Sequence, residues 1–167
     1  MSHQQHRQQA PGSIRCAVIT VSDTRTPDND TSGQLMQQLL TQAGHSVSAY
    51  SIVKDEPQDI RRLLMHFVQA EDTDAILLSG GTGLSPRDGT YEVVHSCLEK
   101  ELTGFGELFR FLSYADIGAA AMMSRATAGV TRGTVIVSMP GSSAAVRLAM
   151  EKLIIPELAH MSHIARS

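Results

Sequence analysis

The feature that most constrains the fold of this chain is its alternation of short apolar runs with segments of helical periodicity. Residues 14–21, 47–53 and 75–79 are aliphatic and partly β-branched, which predicts buried strands. Between these runs, apolar residues recur three and four positions apart, as they do on the buried face of a helix. This strand–helix order predicts a mainly parallel sheet with helices on both faces.

Local signals place the ends of the helices. Thr31 or Ser32 is expected to be the N-cap of the first helix, and Gly44 the residue just beyond its end. Pro57 is typical of the first turn of a second helix. A third helix is expected from about residue 90 to residue 100.

The second half of the chain predicts antiparallel strands in the same sheet. Residues 104–124 favour helix, with a break near residues 116–118. The β-like runs at residues 126–130 and 134–138 are close enough to form a hairpin, so the sheet should be mixed. The whole pattern predicts one Rossmann-like, doubly wound domain with three α/β/α layers.

Composition excludes several classes of partner. Lys and Arg total 14 and Asp and Glu 17, a net charge of −3, which gives no general attraction to nucleic acid or anionic membrane. Residues 1–12 are polar and predict a disordered tail without a secretory signal, so the domain should span residues 13–167. Cys16 and Cys97 are expected to be reduced thiols of a cytoplasmic protein.

Polar and glycine residues follow four apolar runs, which predicts a binding edge. The segments are residues 22–25, 54–57, 80–88 and 140–143. Ligands of open α/β sheets bind beyond the carboxyl ends of the parallel strands. If the four runs are parallel strands, the segments gather at that edge.

The segment at residues 80–88 admits two interpretations. It is either a plain strand-to-helix turn with Asp88 as N-cap, or a loop whose N–H groups hold a phosphate. In the second case Arg87 could pair with an oxyanion and Asp88 could hold Mg²⁺. No Gly-Lys pair is present, which excludes a Walker A loop, and Pro86 stands where a dinucleotide fingerprint needs its third glycine.

Asp55 also admits two interpretations. Asp55 or Glu56 is well placed to cap the helix that begins at Pro57. Alternatively, Asp55 faces Asp88 across the edge of the sheet. Two carboxylates gathered in space suit metal-assisted phosphoryl chemistry.

The remaining polar residues of this edge could either cap or bind. Ser142 or Ser143 should cap the last helix, and a phosphate could bind at the same terminus. Asp23 and Thr24 could contact a ligand or stabilise their own loop by Asx-type bonding.

Taken together, the four segments resemble the MoaB/MogA family of molybdenum-cofactor biosynthesis proteins. The motifs are VSDTR at residues 21–25, KDEP at 54–57, SGGTGLSPRDGT at 79–90 and MPGSS at 139–143. They occur in the order of that family, and the resemblance covers nearly the whole chain. The loop sequence SPRDGTYEVV is nearer to MoaB than to MogA.

The resemblance implies a fold, an assembly and an activity. Members have three α/β/α layers and form trimers or hexamers. MogA-type members adenylylate molybdopterin with Mg·ATP and release pyrophosphate. By motif match, Asp55 and Asp88 would be the catalytic carboxylates and would hold Mg²⁺, while Asp23 and Thr24 would lie at the ATP.

The same match implies which residues bind the pterin or its phosphate: Gly80, Gly81, Thr82, Gly83, Ser85, Arg87 and Ser142. Ser143 departs from the proline that many relatives have at this place. MoaB-type members do not all perform adenylylation. A non-catalytic molybdopterin-binding or scaffold member is therefore an alternative, as is a nucleotide-binding domain with another substrate.

Overall fold

In the computed structural model, which describes residues 2, 4, 5, 8 and 10–167, six strands of the described chain form one sheet. The strands are β1 (Arg15–Val21), β2 (Ser46–Val53), β3 (Ala75–Ser79), β4 (Lys100–Glu101), β5 (Thr127–Thr131) and β6 (Thr134–Met139). Their order is β2-β1-β3-β6-β5-β4. Strands β2, β1, β3 and β6 are parallel to one another, whereas β5 is antiparallel to β6 and β4 is antiparallel to β5. This confirms the predicted mixed sheet.

Helices cover both faces of this sheet. They are α1 (Thr31–Gln42), α2 (Pro57–Gln69), α3 (Thr90–Cys97), α4 (Thr103–Ile117), α5 (Ser143–Ala149) and α6 (Ile155–Arg166). A 3-10 helix, Gly118–Met123, follows α4, and a π-helical turn, Met150–Ile154, joins α5 to α6. One aliphatic core lies under α1, α4, α5 and α6, and a second lies under α2 and α3. These are the three predicted layers.

Two further features are the N-terminal tail and the question of membrane-spanning helices. The disordered tail predicted at residues 1–12 includes residues 1, 3, 6, 7 and 9, which lie outside the described set. It stays a prediction. Among the described residues, no helix is both long and apolar enough to span a bilayer.

The third helix is shorter than predicted. It ends at Cys97, and Leu98 is already extended at φ −77° and ψ 130°. Lys100 then pairs with Val130, and Glu101 with Gly129, to form the edge strand β4. A Cβ on Gly129 would lie 2.2 Å from the Lys100 carbonyl oxygen, so the missing side chain is what permits this pairing.

The expected cap of α1 is wrong by one residue. Asp30, not Thr31 or Ser32, is the N-cap, and its Oδ1 accepts a hydrogen bond of 3.0 Å from the Gly33 N–H. The hydroxyl of Ser32 instead donates to the Gly141 carbonyl at 2.6 Å. The start of α1 is thus tied to the loop that follows β6.

The predicted hairpin is confirmed. Arg132 and Gly133 have φ values of 49° and 76°, and together they form the two-residue turn between β5 and β6. The break near residues 116–118 is also confirmed, because α4 ends at Gly118, which has φ 63° and ψ −142°.

Two glycines, Gly104 within α4 and Gly118 just beyond its last residue, provide a test of this helix end. A Cβ on Gly118 or on Gly104 would meet nothing within 4 Å, so only the backbone distinguishes the two positions. Gly118→Ala should lower the free energy of unfolding by about 1–2 kcal/mol, because its backbone conformation is one that only glycine adopts readily. Urea denaturation measures the change.

Gly104→Ala is the matched control. It should instead raise the free energy of unfolding by up to about 1 kcal/mol, because this glycine lies within the helix. Equal effects at the two positions would show that α4 does not end as described.

Candidate functional site

The four polar segments begin side by side at the carboxyl edge of the sheet. Beyond the strand ends, the Ser22 N–H donates to the Val53 carbonyl at 2.9 Å, and the Gly80 N–H donates to that of Met139 at 3.0 Å. The parallel ladder therefore continues for one residue into the loops. This brings together the loops at residues 22–25, 54–57, 80–88 and 140–143.

Asp55 follows β2, the outermost parallel strand, and is only 7% exposed. Its Oδ1 accepts the Gly89 N–H at 3.1 Å, and its own N–H donates to Asp23 Oδ1 at 3.1 Å. Glu56 occupies the N-cap position of α2 without a side-chain hydrogen bond, so neither acid caps α2 through its side chain. Asp55 Oδ2 lies beneath Gly81 and accepts no hydrogen bond from the described residues.

The glycine loop packs directly against this carboxylate. Gly80 and Gly81 have φ values of 99° and 67°. A Cβ on Gly80 would lie 2.2 Å from the Val21 carbonyl oxygen, and one on Gly81 would lie 2.8 Å from Asp55 Oδ2. Both the turn and the close approach therefore require glycine.

Asp88 folds back on its own loop instead of capping α3. Its Oδ2 accepts the Ser85 N–H at 2.9 Å, and its N–H donates to the Ser85 carbonyl at 2.8 Å. Gly89 takes the N-cap position of α3. Among the described residues no donor reaches Asp88 Oδ1, and the same holds for Asp55 Oδ2.

Arg87 joins three of the loops through ion pairs. Its guanidinium lies 3.0 Å from Asp23 Oδ1 and 2.7 Å from Glu56 Oε1. Hydrogen bonds from Arg87, and then from the Asp55 N–H, lower the pKa of Asp23. The two carboxylates raise the pKa of Arg87. The charge of this arginine is therefore largely offset before any ligand arrives.

The electrostatic environment of Asp55 disfavours its charged form. Burial raises the pKa of Asp55, and the charges of Asp88 and Asp23 raise it further. The Gly89 N–H and the charge of Arg87 oppose this effect. Burial and a neighbouring negative charge both destabilise the ionised form of a carboxylate. A cation bound between two such carboxylates therefore stabilises their charged forms strongly.

The other predicted site residues differ in exposure and in hydrogen bonding. Ser142 is the N-cap of α5, and its Oγ accepts the Ala145 N–H at 3.1 Å, as the capping interpretation predicts. Thr24 is exposed, and its N–H donates to Ser22 Oγ at 3.2 Å. Thr82 is buried, 4% exposed.

Sequence reasoning missed Arg125. Its guanidinium donates to the Gly83 carbonyl at 2.7 and 3.0 Å and to the Asp88 carbonyl at 3.1 Å. It also forms an ion pair with Glu92 and lies 5.1 Å from the centre of the Tyr91 ring. Arg125 comes about 40 residues after the loop that it holds, and no motif marks it.

Thr90 was also missed. Its side chain is fully buried beneath Gly81, and the hydroxyl has no hydrogen-bond partner among the described residues. A Cβ on Gly81 would lie 2.1 Å from Thr90 Oγ1 and 2.8 Å from Asp55 Oδ2, so both oxygens face the same point of the loop. A threonine at the first position of a helix does not indicate, from sequence alone, that its hydroxyl is buried without a hydrogen-bond partner.

Within the described chain, no three His, Cys, Asp or Glu side chains are grouped so that they could hold a metal ion. Asp55 and Asp88 are the pair with free oxygens at the edge. A pair suits Mg²⁺, which in enzymes is commonly held by one or two carboxylates together with water and substrate phosphates. The donor set therefore fits this cation and not a closed structural metal site.

Comparison with known proteins identifies the class to which this fold and edge belong. A family model described as a probable molybdopterin binding domain matches residues 17–160. The chain is 58% identical over 162 residues to molybdenum cofactor biosynthesis protein B of Bacillus subtilis, covering 96% of this chain and 95% of that protein.

Solved structures agree with this assignment. A crystal structure of a molybdenum cofactor biosynthesis protein B has a TM-score of 0.91 at 52% identity, covering 94% of this chain and 98% of its own. The tungsten cofactor synthesizing protein MoaB from Pyrococcus furiosus has a TM-score of 0.85 at 36% identity, covering 95% and 100%. The chain thus belongs to the MoaB/MogA family of molybdopterin-binding domains, nearer to MoaB.

The raised pKa of Asp55 predicts a pH-dependent stability. The folded protein holds this proton more tightly than the unfolded chain does, so the free energy of unfolding falls as pH rises from below 3.8 through the raised pKa. Asparagine at this position can still accept the Gly89 N–H but cannot ionise. In urea denaturation, Asp55→Asn should therefore be more stable than the native protein at pH 7.

This advantage should shrink towards zero as the pH falls well below 3.8, where residue 55 is neutral in both the folded and the unfolded protein. Asp28→Asn, at an exposed loop position, is the control. An advantage of Asp55→Asn that stays the same at low pH would show that ionisation is not its cause.

Proposed function

We propose that this protein binds molybdopterin and adenylylates it with Mg·ATP, releasing pyrophosphate, as a step of molybdenum-cofactor biosynthesis. The observation that carries the proposal is the pairing of Asp55 and Asp88 at the glycine loop, each with one free carboxylate oxygen. Membership of the family supports molybdopterin as the ligand.

The proposed reaction is a transfer of AMP between two anions. An oxygen of the terminal phosphate of molybdopterin forms a bond to the α-phosphorus of ATP. The bond from that phosphorus to the bridging oxygen breaks, and its electron pair leaves with pyrophosphate. No covalent nucleophile of the protein is needed, so catalysis rests on alignment and on compensation of charge.

The residues of the edge suit these two tasks. Asp55 and Asp88 would hold Mg²⁺, which offsets phosphate charge when it is bound. Gly80, Gly81 and Gly83 bring backbone close to the ligand, and the loop at residues 80–88 would contact the pterin or its phosphate. Asp23, with Thr24 beside it, would lie at the nucleotide side.

A turnover assay tests the activity. Purified protein with molybdopterin, ATP and Mg²⁺ should release pyrophosphate and form AMP-linked pterin. Asp88→Asn should lower turnover by about a hundredfold or more, because it removes a charge but keeps an acceptor for the Ser85 N–H. Asp72→Asn, at the opposite edge of the sheet, should leave turnover unchanged.

Other results would change the assignment. Folded protein that binds molybdopterin but forms no product would be a binding or scaffold member of the family. ATP binding that is indifferent to pterin, again without product, would instead indicate a nucleotide-binding protein with another substrate.

The proposal includes a homo-oligomer, a trimer or a hexamer. The reason is an apolar face on α4 and the 3-10 helix that is about half exposed or more, formed by Leu108, Phe111, Tyr114, Ile117, Met122 and Met123. Phe111 is 75% and Met122 is 78% exposed. Contiguous exposed apolar surface of this kind marks an interaction site.

A charge placed on this face should break the assembly. Phe111→Glu should shift the mass measured by light scattering towards the monomer, because a carboxylate would be buried unpaired in the interface. His66→Glu, at an exposed position of α2, should keep the native mass. A native protein that is monomeric at micromolar concentration would remove this part of the proposal.

A further inference from the structure

The edge described above has a shortage of positive charge. Its acidic side chains are Asp23, Asp55, Glu56 and Asp88, and its basic groups are Arg25, Lys54 and the Arg87 guanidinium. That guanidinium is already paired with Asp23 and Glu56. One Mg²⁺ at the carboxylate pair would leave a triphosphate with much of its charge uncompensated. Other cations of the chain should therefore contact the phosphates that leave.

A cavity of about 480 Å³ next to Asp23 contains such cations. Its walls include Arg25, Lys54, Ser22 and Tyr50, together with Asp23 itself. Neither Arg25 nor Lys54 forms an ion pair with any residue that the structure describes. The positive charge of Lys54 nevertheless helps to lower the pKa of Asp23, so the ammonium group is near this carboxylate.

The loop that carries Arg25 is ordered by its own hydrogen bonds. The Arg25 N–H donates to Ser22 Oγ at 3.0 Å, and the Thr26 N–H donates to Asn29 Oδ1 at 2.8 Å. Arg25 Nη1 donates to the Asn29 carbonyl at 2.8 Å. One nitrogen of the guanidinium is thus held by the loop, and the other donors stay free for an anion.

Lys54 approaches the same cavity from the other loop. It directly precedes Asp55, so the chain that places the carboxylate also places the ammonium group. Its side chain makes no hydrogen bond to the described residues. A guanidinium fork and a mobile ammonium group on two walls of one cavity are the donors that bind phosphate oxygens in proteins.

We propose that the cavity between Arg25 and Lys54 binds the β- and γ-phosphates of ATP and holds them as pyrophosphate after transfer. This assignment rests on the proposed adenylylation for its role in catalysis. The affinity for a diphosphate does not depend on it, since neither the pterin nor the adenine takes part. The pocket would be a subsite for the leaving group, bordered by Asp23 and separate from the glycine loop.

Calorimetric titration with inorganic pyrophosphate and Mg²⁺, without pterin or nucleotide, tests the site directly. The double variant Arg25→Ala with Lys54→Ala should lose at least about tenfold in affinity, because two charge-assisted contacts are removed. The control is Arg147→Ala with Lys152→Ala, which removes the same charge from the α5–α6 segment and should change the affinity less than twofold. Lys54→Ala alone should lose part of the affinity without touching any internal contact.

A second titration locates the contact along the nucleotide. ATP should bind the double variant more weakly than the native protein, whereas AMP, which lacks the β- and γ-phosphates, should bind both alike. Equal loss for AMP would overturn the proposal. So would a native protein that does not bind pyrophosphate, a double variant that binds it with native affinity, or a control that loses as much.

The two proposals can fail separately. If pyrophosphate binding is lost in the double variant but the native protein forms no AMP-linked pterin, the subsite stands and adenylylation falls. If the native protein turns over and the double variant keeps its KM for ATP, adenylylation stands and the subsite falls.

Discussion

The candidate site depends on the close approach of a glycine loop to a buried carboxylate. Asp55 Oδ1 accepts a hydrogen bond from the Gly89 N–H. Its other oxygen, Oδ2, packs so close to Gly81 that a side chain at position 81 would clash with it. This contact fixes where α3 begins and where Asp88 faces. It also keeps Asp55 in surroundings that oppose its charge, which is a cost to stability at neutral pH.

Much of the fold could be predicted because its determinants are local. Apolar runs of strand length, the proline at position 57 and the Arg132–Gly133 turn each act within a few residues, and each prediction was confirmed. The errors lie where distant segments compete for the same group. Ser32 does not cap α1 because the Gly141 carbonyl takes its hydroxyl, and the third helix stops early because Gly129 accepts β4.

The residues of the candidate site also fall into some that the sequence predicts and some that it does not. The carboxylates and glycines could be found because they follow strands whose carboxyl ends must meet at one edge. The partners of these residues could not. Arg125 and Thr90 become part of the site through contacts across the fold, and the two ion pairs of Arg87 cross three loops. Sequence spacing carries no record of such contacts.

The grip of Arg125 on the glycine loop has a consequence for the thermodynamics of binding. The guanidinium holds the carbonyls of Gly83 and Asp88 from one side, while Asp55 holds the Gly89 N–H from the other. A loop clamped at both flanks has already lost its conformational entropy during folding, so a ligand need not supply that ordering. In the proposed site, Arg125 would thereby contribute to affinity through preorganisation of the loop, without touching the ligand.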